Sequence, residues 1–215
     1  FLNNQEIMEL ASEGITLDAP LLVSNFSRLN PLVIIQSTAT LQVLAEVLAK
    51  QRRVVVLDEH KKIVNFITQS DFLKFLQSHN IFGEKTLKDY GLEKNSVASV
   101  TESSLALEAF IQLVRNKSGS IAILNESKQL VGNISSHDIR GIEDGGQSLP
   151  HLFFPVQKFL ASIKNPRGYL SIHEDISLKE LVDKMITEGK HHAYIVTPTN
   201  ELQGVISIGD LLRIV

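Results

Sequence analysis

The sequence predicts an α/β (α+β) protein built from three tandem β-α-β-β-α units, and two observations support this prediction. First, a stretch of the chain recurs without gaps: "VVVLDEHKKIVNFITQSDF" from Val54, "IAILNESKQLVGNISSHDI" from Ile121 and "AYIVTPTNELQGVISIGDL" from Ala193. Second, each copy ends on a hydroxyl residue three positions before an aspartate, and these aspartates recur at intervals of 67 and 72 residues. The same folding unit is therefore expected three times.

The elements follow in the same order within each unit. A short extended segment comes first, "PLVIIQ" (31–36), "NSVASV" (95–100) or "RGYLSI" (167–172). An amphipathic helix follows, clearest where apolar residues recur on one helical face at Leu178, Leu181, Val182, Met185 and Ile186. Ser177 and Glu180 have the spacing of a capping box at its start. Two β-rich runs joined by the polar turns "DEHKK", "NESKQ" or "TPTNE" predict a hairpin, and a second helix such as "DFLKFLQSH" closes the unit.

The units are expected to pack in pairs, because a single three-stranded sheet of this size cannot bury both of its faces. The predicted boundaries are a connector at 1–30 and units at 31–85, 86–145 and 146–215. Three is an odd number for paired units, and the chain begins at Phe1 without a methionine. We therefore expect a fragment whose fourth unit lies upstream, with "NNQEIMELASEGI" forming a connecting helix.

The composition and the motifs of the chain argue against several classes of function. A formal charge of −3 and a pI near 6.2 argue against nonspecific nucleic-acid binding, because no basic excess exists to displace counterions. No apolar run approaches the length of a membrane helix, about 18 residues. The chain has no cysteine, which excludes disulfides and zinc-thiolate sites. No nucleophile–base motif, metal-ligand spacing or GxGxxG pattern occurs, so the sequence predicts no enzyme activity.

The repeated hydroxyl-x-x-aspartate motif has two interpretations. It can start a helix, because the hydroxyl caps a free backbone N–H and the carboxylate favours the positive end of the helix dipole. Alternatively, the same carboxylate can lie at the mouth of a cleft between paired units and accept hydrogen bonds from a ribose diol. The motif alone leaves both interpretations open.

The whole pattern resembles the cystathionine-β-synthase (CBS) domain and, more narrowly, the gamma subunits of AMP-activated protein kinase. The resemblance covers nearly all of the chain from about residue 25, as repeats two to four of such a subunit. The stretches that carry it are "NFSRLNPLVIIQSTATLQ", "FITQSDFLKFLQ", "TLKDYGLEKNSVASVTESS" and "GKHHAYIVTPTNELQGVISIGDLLRIV".

This resemblance implies roles for particular residues. The motif aspartate of the family holds the ribose and the preceding hydroxyl lines the same pocket, which here implies Asp71, Asp138 and Asp210 with Thr68, Ser135 and Ser207. A hydroxyl at the start of the first helix often reaches the nucleotide, and the matching residues are Thr40, Ser104 and Ser177. Phosphates meet basic side chains at the start of the hairpin and one turn after the aspartate, which implies Arg52, Arg53, Lys74, His191 and His192. No metal is implied.

The sequence also departs from the family pattern. Animal members have a basic residue where Asp71 stands and their site is empty, so Asp71 predicts a usable site here. The second unit has only Ser118 and Gly119 where a basic pair is expected, and His192 replaces an arginine. If His191 and His192 contact the phosphate, AMP affinity is expected to rise as the pH falls from about 8 to about 6. Arg52 and Arg53 can alternatively be a solvated helix C-terminus.

The resemblance implies a regulatory, nonenzymatic kinase subunit that binds AMP, ADP and ATP as regulatory ligands and needs no cofactor. The implied partners are the kinase alpha and beta subunits, and the implied location is the cytoplasm and also the nucleus. Two alternatives stay open: a CBS scaffold without nucleotide binding, and the regulatory module of another enzyme or of a channel.

Overall fold

The described part of the chain forms three separate sheets of three strands each. This computed structural model describes residues 32–91, 95–116, 118–142, 149–163 and 168–215. The predicted connector at 1–30 lies outside the described residues.

Each sheet has the same strand order, in which the strand from the first half of the unit lies beside a hairpin. The first strand pairs in parallel with the second, and the second pairs antiparallel with the third. The strands are β1 (Ile34–Gln36), β2 (Arg53–Leu57) and β3 (Ile63–Thr68); β4 (Ser99–Thr101), β5 (Ser120–Leu124) and β6 (Leu130–Ser135); β7 (Ser171–Ile172), β8 (His192–Val196) and β9 (Leu202–Ser207).

The three hairpins share one turn geometry. Lys61, Lys128 and Asn200 occupy equivalent turn positions with φ of 61°, 61° and 65°. Asparagine adopts this left-handed region readily, whereas lysine does so at a steric cost. Each hairpin also has a register shift between its two strands at the equivalent place. In the first unit the shift lies between Val56 and Leu57. The predicted hairpins are therefore confirmed, with a bulge that the sequence pattern did not indicate.

The first helix of each unit is amphipathic, as predicted. These helices are α1 (Leu41–Leu48), α3 (Ala106–Arg115) and α5 (Leu178–Thr187). The Ser177 side chain accepts a hydrogen bond from the amide of Glu180 at 3.2 Å and so caps α5. The Glu180 carboxylate pairs with Lys184 at 3.0 Å, so only the serine half of the predicted capping box forms.

The second helix differs among the units, contrary to the uniform prediction. It is α2 (Gln69–Ser78) in the first unit and the single turn α6 (Ile208–Leu211) in the third. In the second unit a 3-10 helix, Asp138–Ile142, follows the motif instead. Gly141 lies inside that segment and disfavours an α-helix.

A later helix, α4 (Val156–Ser162), covers the second unit instead. It follows a 3-10 helix at Leu149–Phe153. Val156 and Phe159 are fully buried in the core of the second unit, where the Phe159 ring meets Phe110 edge to face at 5.6 Å. The predicted boundary at residue 146 assigned this helix to the third unit, whereas its buried residues pack in the second.

The units pack against each other in two ways. Helices of the first and third units share the largest core, which includes Leu48, Leu73 and Leu181. The sheets of the second and third units face each other over a smaller core that includes Ala122, Leu130 and Tyr194. The predicted sheet-to-sheet pairing is therefore present between the second and third units.

The sheet of the first unit presents an exposed apolar face. Ile34, Ile63 and Phe66 on this sheet are 49%, 58% and 58% exposed. Leu130, which occupies the position of Ile63 in the second unit, is 1% exposed. The same sheet face is thus covered in the second unit and open in the first.

Candidate functional site

Two of the three repeated motifs form complete capping boxes. The Thr68 hydroxyl donates to Oδ2 of Asp71 at 2.7 Å, and the Asp71 amide donates back to that hydroxyl at 3.2 Å. Ser207 and Asp210 repeat this exchange at 2.6 and 3.3 Å. The amides of Thr68 and Ser207 donate to the same carboxylate oxygens. The helix-start interpretation is therefore confirmed for α2 and α6.

The third motif makes the same carboxylate contacts on a 3-10 helix. Oδ2 of Asp138 accepts from the Ser135 amide at 2.6 Å and from the Ser135 hydroxyl at 2.7 Å. Asp138 is only 4% exposed, so these hydrogen bonds compensate the burial of its carboxyl group. The motif thus tolerates either helix type.

Asp71 and Asp210 differ in how far their carboxylates are already used. Within the described chain, Oδ1 of Asp71 accepts no hydrogen bond, and the side chain is exposed. The hydrogen bond from the Thr68 side chain is the main cause that lowers the pKa of Asp71; the Thr68 amide and Lys74 add to it. Asp210 accepts from Asn95 at 3.1 Å and pairs with Arg213 at 3.2 Å. A ribose diol would therefore compete with fewer hydrogen-bond donors at Asp71 than at Asp210.

One backbone hydrogen bond identifies the equivalent residues where the three hairpins start. The carbonyls of Arg52, Gly119 and His191 each accept from the amide that follows the motif hydroxyl, at 3.1, 3.2 and 3.0 Å. The next positions are Arg53, Ser120 and His192, each opposite the motif hydroxyl in its sheet. The counterpart of the basic pair in the second unit is therefore Gly119 and Ser120, one residue later than predicted.

The two predicted arginines lie in different surroundings. Both are exposed. A β-carbon added at Gly119 would lie 3.5 Å from Nη2 of Arg52, so this guanidinium reaches the hairpin start of the second unit. Arg53 begins β2 opposite Thr68. The Arg52 side chain therefore crosses from the first unit to the second.

His192 lies in the junction between the second and third sheets. Its Nε2 is 2.7 Å from the Ser120 hydroxyl, which in turn is 3.0 Å from the Tyr194 hydroxyl. Burial lowers the pKa of His192 to about 4, and His191 and Lys190 contribute to the shift. His192 is therefore neutral between pH 8 and pH 6. The predicted rise of AMP affinity over this pH range stays a prediction that depends on His191.

The same junction contains further buried polar groups. Burial raises the pKa of Tyr194 to about 12, against the opposing effect of hydrogen bonds with Ser120 and Asn133. Asn133 is 6% exposed, and its Oδ1 has no partner within the described chain. Buried polar groups that must be paired restrict how two surfaces can fit. This cluster therefore favours one register between the two sheets.

A cavity joins two of the predicted phosphate ligands. It has a volume of about 200 Å³ and lies between the first and third units. Lys74 and Ser70 of α2 line one side, and Lys190 and His191 line the other. The volume is below the roughly 300–1,000 Å³ of a site for a whole drug-sized ligand. The cavity is therefore smaller than a site for a complete nucleotide, and apolar side chains such as Leu73 and Met185 share its walls with the polar ones.

The hydroxyls at the first helices have unequal positions. Thr40 and Ser177 are N-caps, and their side chains accept from the amides of Val43 and Glu180. In the second unit the N-cap is Leu105. Ser104 precedes it, and its hydroxyl contacts Thr101. Ser104 is thus displaced by one residue from the position predicted for it.

Several contributors to these sites were not predicted, among them Arg213 beside Asp210 and Ser120 beside His192. Lys190 and Ser70 line the cavity, and Asn95 contacts Asp210. Lys190 directly precedes the histidine pair, so the basic run "KHH" could have indicated it. Asn95 gave no local signal, because its contact spans 115 residues.

The described residues show neither a metal cluster nor a membrane span. No group of three or more His, Cys, Asp or Glu side chains within the described ranges could hold a metal ion. None of the helices in these ranges is long and apolar enough to cross a bilayer.

Comparison with known proteins agrees with the repeated architecture. The CBS domain family matches residues 23–78, 88–144 and 164–215. A protein of Pyrococcus horikoshii has a similar fold, with a TM-score of 0.70 and 20% identity over 86% of this chain and 79% of that one. A protein of Methanocaldococcus jannaschii, described as an archaeal homologue of gamma-AMPK, has a TM-score of 0.67 and 17% identity over 86% and 67%. These two structures support the fold.

Curated relatives include kinase regulatory subunits. The human 5'-AMP-activated protein kinase subunit gamma-3 is 29% identical over 85% of this chain and 40% of its own length. The Arabidopsis thaliana SNF1-related protein kinase regulatory subunit gamma-1 is 26% identical over 70% and 41%. Protein sds23 of Neosartorya fischeri is 26% identical over 82% and 36%. The chain spans about two fifths of the length of these relatives. With three matched repeats along most of its length, this chain belongs to the CBS-domain family and is related to the gamma subunits of AMP-activated protein kinase.

Proposed function

We propose that the chain is a nonenzymatic, adenine-nucleotide-sensing regulatory module of the gamma type. AMP, ADP and ATP would bind in clefts between units, with a motif aspartate at the ribose. Asp71 is the strongest candidate, since one of its carboxylate oxygens accepts no hydrogen bond within the described chain. Asp138 and Asp210 are the equivalent candidates in the other units.

The cavity between the first and third units is the observation that carries this proposal. Lys74, Lys190 and His191 come from two units that are distant in sequence, yet they line one small space. Ser70 lies in the first turn of α2, where free backbone N–H groups and the helix dipole favour an anion. The two lysines supply positive charge beside this helix start, and the Lys190 ammonium also donates to the Gly168 carbonyl; a phosphate group suits such surroundings.

Sensing would arise from competition among the nucleotides. A monophosphate and a triphosphate differ in charge and length, so they make different contacts with Lys74 and Lys190. A ligand shifts a conformational equilibrium only by its differential affinity for the two states. Couplings of about 1–3 kcal/mol are usual, so modest differences in phosphate contacts suffice.

Thermal unfolding with AMP, ADP and ATP tests the proposal. A ligand at a hundred times its dissociation constant adds about 2.7 kcal/mol, which for a chain of this size raises Tm by roughly 5–10 °C. We expect Asp71→Ala and Lys74→Ala to reduce the shift and Lys62→Ala, in an exposed turn, to leave it unchanged. The Asp138→Ala and Asp210→Ala variants show whether nucleotide binding at the motifs of the second and third units contributes to the Tm shift. Equal shifts in Asp71→Ala, Lys74→Ala and wild type would contradict the assignment of this site.

A nucleotide-free scaffold is the second candidate, and one observation favours it. Asp71 and Asp210 both form complete capping boxes, which gives each motif a structural role without a ligand. If no nucleotide raises Tm and the aspartate variants merely unfold at lower temperature, this scaffold function is correct.

The relatives that are kinase gamma subunits support a proposal for the partner chains. We propose that the module assembles with kinase alpha and beta subunits in the cytoplasm and nucleus. Co-expression with these subunits, followed by size-exclusion chromatography, tests this assembly. Elution of the chain apart from both subunits would favour the alternative of a regulatory module for another enzyme or for a channel.

We further propose that a fourth unit of the same kind covers the first sheet. The exposed positions of Ile63 and Phe66 correspond to Leu130 and Asn133, which are buried in the second unit by the third. The occupant is therefore expected to present a three-stranded sheet face. Hydrogen exchange of β3 in a longer version of the protein would be slower than in this chain if the fourth unit packs there.

A further inference from the structure

The carboxylate of Asp210 is occupied by donors from two directions. Its Oδ2 accepts from the Ser207 amide, the Ser207 hydroxyl and Nδ2 of Asn95, at 2.8, 2.6 and 3.1 Å. Its Oδ1 accepts from Nη1 of Arg213 at 3.2 Å. Each carboxylate oxygen offers about two lone-pair positions, so the three donors on Oδ2 fill that oxygen, while Oδ1 has one donor.

Asn95 is distinct among these donors because it comes from another unit. It lies just before the second sheet, whereas Ser207 caps the start of α6 and Arg213 follows its end. The Asn95 carbonyl also accepts from the Val205 amide at 3.4 Å, which holds this residue beside β9. The carboxamide is exposed, so it can leave the carboxylate without opening a core.

The first unit provides an internal comparison. Asp71 makes the same capping contacts with Thr68, yet no donor from another unit reaches it within the described chain. The difference between the two aspartates is therefore the presence of Asn95 and Arg213, and not the motif itself.

We infer that Asn95 sets the nucleotide affinity of the Asp210 site by competing with the ribose diol for the carboxylate. This inference rests on the proposed function. A diol donates two O–H groups, and at Asp210 it must displace the carboxamide of Asn95 to bind Oδ2. The third-unit site is accordingly weaker than the Asp71 site, and its occupation releases the segment that leads into β4.

A double-mutant cycle with AMP tests the inference by calorimetry. Removing one competing hydrogen bond is expected to raise affinity at the Asp210 site about tenfold in Asn95→Ala. In an Asp210→Ala background the same substitution is expected to have no effect. Asn65→Ala is the matched control, since within the described residues the Asn65 side chain accepts a hydrogen bond from the neighbouring Phe66 amide and contacts no aspartate.

A spectroscopic readout accompanies the affinities. The side-chain amide resonances of Asn95 are expected to shift when AMP is added to the wild-type chain and to stay unchanged in Asp210→Ala. If wild type binds AMP and Asn95→Ala binds it with the same affinity, the inference is wrong while the proposed function stands. If neither wild type nor any variant binds AMP, both are wrong.

Discussion

At the scale of single residues, Thr68 has a capping role that can be separated from any role in ligand binding. Its hydroxyl both donates to and accepts from Asp71. Thr68→Val removes both contacts, so we expect a loss of about 1 kcal/mol in the free energy of unfolding. The pKa of Asp71 should rise toward its ordinary value, because the Thr68 side chain is the main cause of its lowering.

Urea unfolding and an NMR titration of Asp71 measure these two effects. Thr68→Ser is the control, since it keeps the hydroxyl and should resemble wild type. The pKa of Asp71 is lowered in the folded chain, so its stabilising contribution is present at neutral pH and is lost as acid protonates it. Equal stability and equal Asp71 titration in both variants would exclude the cap.

His192 predicts a pH-dependent junction between the second and third units. Its pKa is about 4 in the folded chain and about 6.5 when unfolded, so between these values only the unfolded state binds the proton. The free energy of unfolding is expected to fall between pH 7 and pH 5 by at most about 2 kcal/mol through this residue, and to be flat above pH 7.

His192→Gln removes the titration and keeps a polar side chain near Ser120. Urea unfolding at pH 5, 6 and 7 should therefore show a shallower decline for His192→Gln than for wild type. His191 and Lys190, the other groups that influence His192, remain in both proteins. Parallel declines in the two proteins would mean that His192 is charged in the folded state at pH 5.

At the scale of elements, α6 begins very close to the end of α1. A β-carbon added at Gly209 would lie 2.8 Å from the carbonyl oxygen of Ala49, a distance that real β-carbons essentially never show. The carbonyl oxygen is a backbone atom, and the backbone also fixes the position of the β-carbon. Neither atom can therefore rotate away from the other. Gly209→Ala is therefore expected to lower the free energy of unfolding by about 1–3 kcal/mol and to separate the first unit from the third.

Gly132→Ala is the control for this prediction. Its added β-carbon would meet only the Ile123 side chain at 3.5 Å, an ordinary contact. Chemical unfolding of both variants gives the difference, and hydrogen exchange of α1 reports the separation of the units. A Gly209→Ala protein as stable as Gly132→Ala would show that α1 and α6 are not in contact in solution.

Elements that depend on local patterns could be predicted from the sequence, whereas contacts between units could not. The hairpins follow from the alternation of apolar and polar residues, and the apolar face of α5 follows from helical spacing. Both patterns can be read from residues that are close in sequence. The contact of Ser120 with His192 spans 72 residues, and that of Asn95 with Asp210 spans 115. Such contacts depend on how whole units dock. The short second helix of the third unit was missed because nothing after Asp210 marks its end.

At the scale of the whole molecule, the three units are equivalent in sequence and unequal in surroundings. The third unit packs its helices on the first and its sheet on the second, so it contributes to two of the three cores. The candidate phosphate cavity lies at the first of these contacts and the His192 cluster at the second. A ligand bound in the cavity would therefore contact the unit that joins the other two.

The uncovered sheet of the first unit predicts self-association of this 215-residue chain. Exposed apolar faces mark interaction surfaces, and a second copy can pair with this face as the second sheet pairs with the third. Phe66→Asp places a charge on β3 within this exposed face, and we expect it to weaken self-association at least about tenfold, since burying an unpaired carboxylate is costly. Sedimentation equilibrium measures the effect, with Val131→Asp, at an exposed strand position of the second sheet, as the control. If the chain is monomeric at all concentrations, or if both variants associate like wild type, this face does not bind a partner sheet.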